Sequence, residues 1–273
     1  MGIQNEFRDM ALELASAEAL PRIADIVFPP FVEGGQPADC EFMALALEGG
    51  AAGLSYVLIP DEMGDRYRAH SSRSFAGTRP EACAADFGCG DPVRNMIALA
   101  AINAICQHVM RQRSYPIDDA TDSLGLMDLR DGDRVGMVGL FRPLLKYLKA
   151  VDAELLIVEK NESLARERPD LPITLDPSQL RDCNKVLCTS TLVLNDTVDA
   201  VLDHCSRAEH VTLLGPTAGY FPDPLFARNV DVVGGRYVSD ARLLLKRIAE
   251  RKQWGEATRK LCFQKTSYRG VLV

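Results

Sequence analysis

The chain has 273 residues, 47% of them hydrophobic and 25% charged, a balance that fits a globular protein with a core large enough for two domains of ordinary size. A net charge of −7 argues against a reader of phosphate backbones, which needs a concentrated positive surface. No run approaches the roughly 18 uninterrupted apolar residues of a membrane span, and residues 1–20 are acidic and amphipathic rather than basic and then apolar. The expected setting is the cytoplasm, with neither nucleic acid nor membrane as a partner.

In residues 3–20 the apolar positions Phe7, Met10, Ala11, Leu14 and Ala17 recur at helical spacing, and Pro21 ends the pattern. Strand-like runs follow at 23–28, 41–47 and 54–59. The last two are separated by Glu48-Gly49-Gly50-Ala51-Ala52-Gly53, which reads as a hairpin turn. Residues 61–79 are polar and read as loop. Beyond Asp86-Phe87-Gly88-Cys89-Gly90, Asp91 caps a helix that Pro92 opens and that runs to about Met110. Residues 1–110 therefore predict a small α+β domain. Residues 111–122 are polar, contain Pro116, lack periodicity and read as a linker.

From residue 123 to 273 the pattern changes. Apolar strand-like runs at 134–138, 154–159, 185–188, 211–214 and 230–233 alternate with helical segments at 141–149, 196–204, 224–226 and 240–251. That alternation predicts βαβ units and a Rossmann-like parallel sheet. The basic residues between 246 and 260 are interrupted by Glu250 and Glu256 and read as a solvated helix face. The eight cysteines include Cys83 and Cys89, and Cys183 and Cys188, but no Cys-x-x-Cys pair; Cys40, Cys106, Cys205 and Cys262 stand alone. In a reducing compartment most of them read as small buried hydrophobes.

Ligands of open parallel sheets bind beyond the carboxyl ends of the strands, where strand order reverses, so the residues after each strand are the candidates. The first turn holds Gly139 and Arg142, but no third glycine completes a dinucleotide fingerprint. Glu159 ends the second strand, where an acidic residue grips a ribose hydroxyl or an equivalent polar group. Thr189, Ser190 and Thr191 follow the third, and Asn195-Asp196-Thr197 stands at the mouth of the next helix; these hydroxyls and an N-cap there suit a phosphate or carboxylate. Gly215, Pro216 and Thr217 follow the fourth, in a loop stiffened by three prolines. These groups are expected to converge on one side of the sheet, facing residues 86–91.

The residues of this last region resemble a known family. Gly215-Pro216-Thr217, Pro224-Leu225-Phe226, Val230-Asp231-Val232-Val233-Gly234-Gly235 and Val238-Ser239-Asp240 are similar to the hallmark of a domain family of unknown function whose proposed role is heavy-metal chelation. Thr191-Leu192-Val193-Leu194-Asn195-Asp196-Thr197 resembles its helix-opening motif. Asn95 to Ala104 resembles the signature of its companion N-terminal domain. The resemblance implies an N-terminal domain like that of enolase, a Rossmann-like domain after it, and a ligand site in the cleft between them. It implies no reaction, since fold alone carries none.

Two functions compete on these residues. One is a protein that binds a small molecule, a heavy or transition metal, or a metal-linked cofactor. Its soft ligands would be Cys89, Cys188 and Cys205, with His70 and His204 as imidazoles, although adjacent His204 and Cys205 point to different helix faces. Cys89, between two glycines before a helix, is the leading metal candidate. The other is a transferase- or isomerase-type enzyme acting on an anionic substrate, with Arg142 and Lys160 as a clamp and Glu159 or Asp86 as general base. A sensory module ranks third. The helix over residues 96–109 fits either a domain interface or a contact between two copies of the chain.

Overall fold

A computed structural model describes residues 2–31, 42–71, 73–148, 150–160 and 162–271. Cys40, the strand start at Glu41, the helix end at Lys149 and Asn161 lie outside the described residues.

Helix α1 (Ile3–Ala17) turns Ile3, Phe7, Ala11 and Leu14 inward, the stripe its spacing predicts. Strands β1 (Ile23–Val27), β2 (Phe42–Leu47) and β3 (Ala52–Tyr56) form an antiparallel three-stranded sheet. Gly49 and Gly50 take φ of +93° and +86° in the turn between β2 and β3, a conformation that costs glycine little. Residues 61–79 are not all loop, because α2 (Gly64–Ser71) forms there. Only Gly64 and Tyr67 of that helix are buried, so it shows no apolar stripe to read. After α3 (Pro80–Ala84) comes α4 (Pro92–Gln112), whose N-cap Asp91 accepts from the amides of Val93 (2.9 Å) and Arg94 (3.3 Å).

Helix α4 organises the molecule. Sixteen of its 21 residues are buried, so no face is left for solvent, as expected of a core helix about 30 Å long. Its alanines let β3 approach backbone to backbone. A Cβ on Gly53 would lie 2.1 Å from the Ala100 carbonyl oxygen. Fully buried side chains such as Leu99 and Ile102 each contribute about 2 kcal/mol from apolar burial.

The second sheet contains β4 (Arg134–Val138), β5 (Glu154–Val158), β6 (Ile173–Thr174), β7 (Lys185–Thr189), β8 (His210–Leu214), β9 (Val232–Val238) and β10 (Thr258–Gln264). Among the described residues the order is β10-β9-β8-β7-β4-β5-β6. The six strands β4 to β9 are parallel; counted alone they run 3-2-1-4-5-6, the order of doubly wound nucleotide-binding sheets. Edge strand β10 is antiparallel to β9 and was not expected, since Arg259 and Lys260 read as part of a solvated helix. Helices α5 (Leu144–Leu148), α6 (Glu162–Glu167), α7 (Thr191–Leu194), α8 (Val198–Leu202), α9 (Asp223–Phe226) and α10 (Ala241–Ala249) fill the connections. The helix expected over 196–204 forms as α8, starting at Val198, and a separate short helix, α7, precedes it; Asp196 takes a left-handed φ of +56° between the two.

The two sheets share a core. One buried cluster runs from Ile3 through α4 to Val271. Residues 111–122 are tied down: Arg111 and Gln112 end α4, Arg113 donates to Glu18 and to the Val271 carbonyl, and Asp118 accepts from the Cys262 amide at 2.9 Å. No helix among the described residues is long and apolar enough to cross a membrane.

Candidate functional site

Strand order reverses between β4 and β7, and the ends of these two strands meet. Gly139, at φ +82°, leaves so little room that a Cβ there would lie 3.1 Å from Thr189 Cγ2. The expected anion cradle in this turn is not available. The Gly139 amide donates to the Val158 carbonyl (3.0 Å), the Leu140 amide to Glu159 Oε1 (2.7 Å), and the Phe141 amide points at Met137 Sδ (3.1 Å). Three successive donors are thus used within the protein, and α5 starts only at Leu144. The Glu159 carboxylate sits on the turn that would have to cradle a phosphate, which argues against a dinucleotide. Arg142 is exposed on the rim of the same turn.

At the end of β7 the hydroxyls of Thr189 and Thr191 lie 3.0 Å apart, and the Thr191 amide donates to Thr189 Oγ1. Ser190 and Thr217 point the other way. Each is 1% exposed, and their hydroxyls bond each other. A Cβ on Gly215 would fall 2.0 Å from Ser190 Oγ, so this glycine is set by packing against that pair. Pro216 beside it is half-buried. Asn195 Oδ1 accepts from the Thr197 hydroxyl and closes α7, and neither residue caps α8 through its side chain. The N-cap expected within Asn195-Asp196-Thr197 falls on Thr197, which makes no side-chain capping bond.

The N-terminal half reaches this edge through Gln4, whose amide donates to the carbonyls of Val193 (3.2 Å) and Leu194 (2.9 Å) at the end of α7. Gly88 packs against Gln4 and Asn5, with a Cβ position 3.1 Å from Asn5 Oδ1. Residues 86–91 therefore approach α7 at one remove. Cys89 is exposed, and its Sγ has Asn95 Oδ1 at 3.9 Å. No group of three or more His, Cys, Asp or Glu side chains stands ready for a metal among the described residues. Burial pushes the Cys205 thiol up to about 12 and the Cys188 thiol well above its ordinary value, which leaves both protonated and poor ligands. The carboxylates named as general bases are engaged too, Glu159 by Leu140 and Asp86 by a two-point pair with Arg94. A cavity of about 480 Å³ beside that pair is lined by His70, Arg73, Thr78 and Cys83, all from the N-terminal half.

A family model described as "Putative heavy-metal chelation" matches residues 122–266. The chain belongs to this family, DUF364. The match covers Gly139 through Thr217 and leaves Cys89 outside. An uncharacterized protein of Methanocaldococcus jannaschii is 29% identical over 134 residues, 49% of this chain and 50% of that protein, so the alignment spans about half the length of that relative. Two solved DUF364 structures, both titled as proteins with unknown function, share the fold. The one from Desulfitobacterium hafniense DCB-2 is 20% identical with a TM-score of 0.67, over 95% of this chain and 98% of that one. The one from Pyrococcus horikoshii is 18% identical with a TM-score of 0.71, over 96% and 99%.

Gly235, in a segment that resembles the family hallmark, has a packing role here: it admits the Ala218 carbonyl, which a Cβ would meet at 1.7 Å, and nearby Gly219 admits the Gln107 side chain. Three residues that the sequence reading passed over are prominent in the structure. Asn103 Nδ2 joins the two halves by donating to both the Leu54 and Thr217 carbonyls, at 2.7 and 2.8 Å. Gln107 bonds the main chain of β9. Arg236 stands half-buried on β9; its one signal in the sequence was a charged residue after Gly234-Gly235 inside an apolar run.

Proposed function

We propose that this protein binds a small organic molecule at the carboxyl ends of its parallel strands, and that this molecule, rather than a cage of protein side chains, carries any metal. Residues 1–110 and 123–273 are the two units of this reading, joined through 111–122. The ligand rests on Gly139, Thr189 and Thr191, with Glu159 behind them and Arg142 at the rim.

The observation that carries this reading is the meeting of Gly139 and Thr189 at the point where strand order reverses, the place where ligands of such sheets bind. A threonine pair offers hydroxyls there, while the turn's amides are spent on Glu159 and on the chain itself. Recognition through hydroxyls suits a polar, metal-chelating organic molecule better than a pyrophosphate. The family description adds the metal, and the buried, protonated thiols weigh against direct coordination.

A titration of the ligand-free protein with zinc(II) tests the division of labour. Weak binding without simple stoichiometry, unchanged by Cys89→Ala, is expected. A tight one-to-one site lost in Cys89→Ala would overturn the reading and restore protein-borne chelation.

A further inference from the structure

We infer that Arg236 is the anion anchor of this site, holding a carboxylate or phosphate group of the bound molecule. The inference rests on the reading of the strand ends as a ligand site and adds the charge of the ligand to it.

Strand β8 pairs with β9 only as far as Leu214 opposite Gly234. Arg236 lies two residues further along, beside the loop that carries Gly215 to Thr217, because Gly235 packs on the Ala218 carbonyl. Its own main chain is held by Gln107. Strand alternation puts the side chain on the face of Gly234, whose missing Cβ would crowd Ser123 and Leu214. The guanidinium is half-buried, yet no hydrogen bond, ion pair or ring contact engages it among the described residues. Burial, with no charge to compensate it, pulls the pKa of Arg236 below the usual arginine range.

Its cross-strand neighbour offers no counter-charge, since Arg236 lies directly opposite Lys260 on β10. Arg228, another half-buried arginine, shows the contrast. It bonds both oxygens of Glu6 and one of Asp199. A desolvated cation without a counter-charge is a liability to the empty fold and an asset once an anion arrives. From β7, which ends at Thr189, to β9 there are two inter-strand spacings, roughly 10 Å. A molecule with hydroxyl or amine groups at one end and an acid at the other spans Thr189 to Arg236.

The test follows thermal unfolding of the wild-type protein, Arg236→Met and Arg236→Lys, in saturating inorganic phosphate or in chloride at equal ionic strength. Phosphate is expected to raise the wild-type melting temperature by a few degrees, on the order of 2–4 °C. Arg236→Met, which keeps the packing of the stem, should melt higher than wild type in chloride and gain nothing from phosphate. Arg236→Lys should keep part of the gain. A wild-type protein indifferent to phosphate overturns the inference, as does an Arg236→Met variant that melts lower in chloride while keeping the phosphate shift. Native mass measured in parallel separates the two claims. A small molecule retained equally by wild type and Arg236→Met leaves the binding reading standing and removes Arg236 from it. A phosphate effect that depends on Arg236 without any retained molecule does the reverse.

Discussion

The side-chain amide of Gln107 takes over where β8 leaves β9: its Oε1 accepts from the Val238 amide at 2.8 Å, and its Nε2 donates to the Arg236 carbonyl at 3.0 Å. One helix residue thereby completes the edge of a strand in the opposite half. The same contact fixes the backbone under Arg236, so the packing of the two halves and the shape of the strand-end rim are one problem.

Gln107→Leu keeps the volume and removes both bonds, leaving a buried N–H and a buried carbonyl without partners. The expected loss is about 2–3 kcal/mol. Urea unfolding should show it as a lower midpoint with an unchanged slope.

Backbone contact, rather than turn geometry, explains Gly53 and Gly235. Alanine at Gly53 would press on the Ala100 carbonyl and at Gly235 on the Ala218 carbonyl, neither of which belongs to a flexible side chain. Each variant should lose more than about 3 kcal/mol or fail to accumulate as folded protein. Gly255→Ala is the control. Nothing lies within 4 Å of its Cβ position, and a change within about 0.5 kcal/mol is expected.

Glu6 on α1 and Arg228 beyond α9 give the packing of the two halves a pH dependence. The hydrogen bond from Arg228 holds the Glu6 carboxyl below its ordinary value of 4.5. A depressed carboxyl contributes stability in full above its unfolded pKa and loses it as pH falls through the folded one. Melting temperatures of wild type and Glu6→Gln should therefore differ at pH 6 and converge below about pH 4.5. A difference that persists at pH 3 would show that Glu6 acts through packing rather than charge.

Thiol reactivity should sort by burial. Cys89 is exposed, whereas burial pushes Cys83 up to about 11 and Cys106 up to about 12. Alkylation at pH 8 followed by peptide mapping should find Cys89 modified long before Cys106, Cys188 or Cys205. Equal rates at Cys89 and Cys188 would contradict the packing of β7.

The sequence reading reached the parallel sheet because β4, β5, β7 and β8 are apolar runs ended by glycine, threonine or acidic residues, a local signal. It did not reach β10, because Arg259 and Lys260 look alike on an edge strand and on a solvated helix. It missed α2 for lack of a buried stripe. The strand order was equally out of reach, since periodicity says which residues form strands and not which strands are neighbours. Sequence names Ser190, Gly215 and Thr217 as ligand contacts, but a hydroxyl that bonds another buried hydroxyl has the same letter as one that faces a ligand. Gly139, Glu159 and Thr189 enter the proposed site on a position that sequence supplies, the ends of parallel strands. Arg236 was not legible in sequence, since its significance lies in the partner it lacks.

The most direct measurement compares the mass of the protein, purified without oxygen, under native and denaturing conditions. The account predicts a small organic species retained in the native state, with or without a metal in its isotope pattern, and reduced retention when Thr189 is replaced by valine. A bare metal ion retained with no organic mass, and lost on Cys89→Ala, would contradict it.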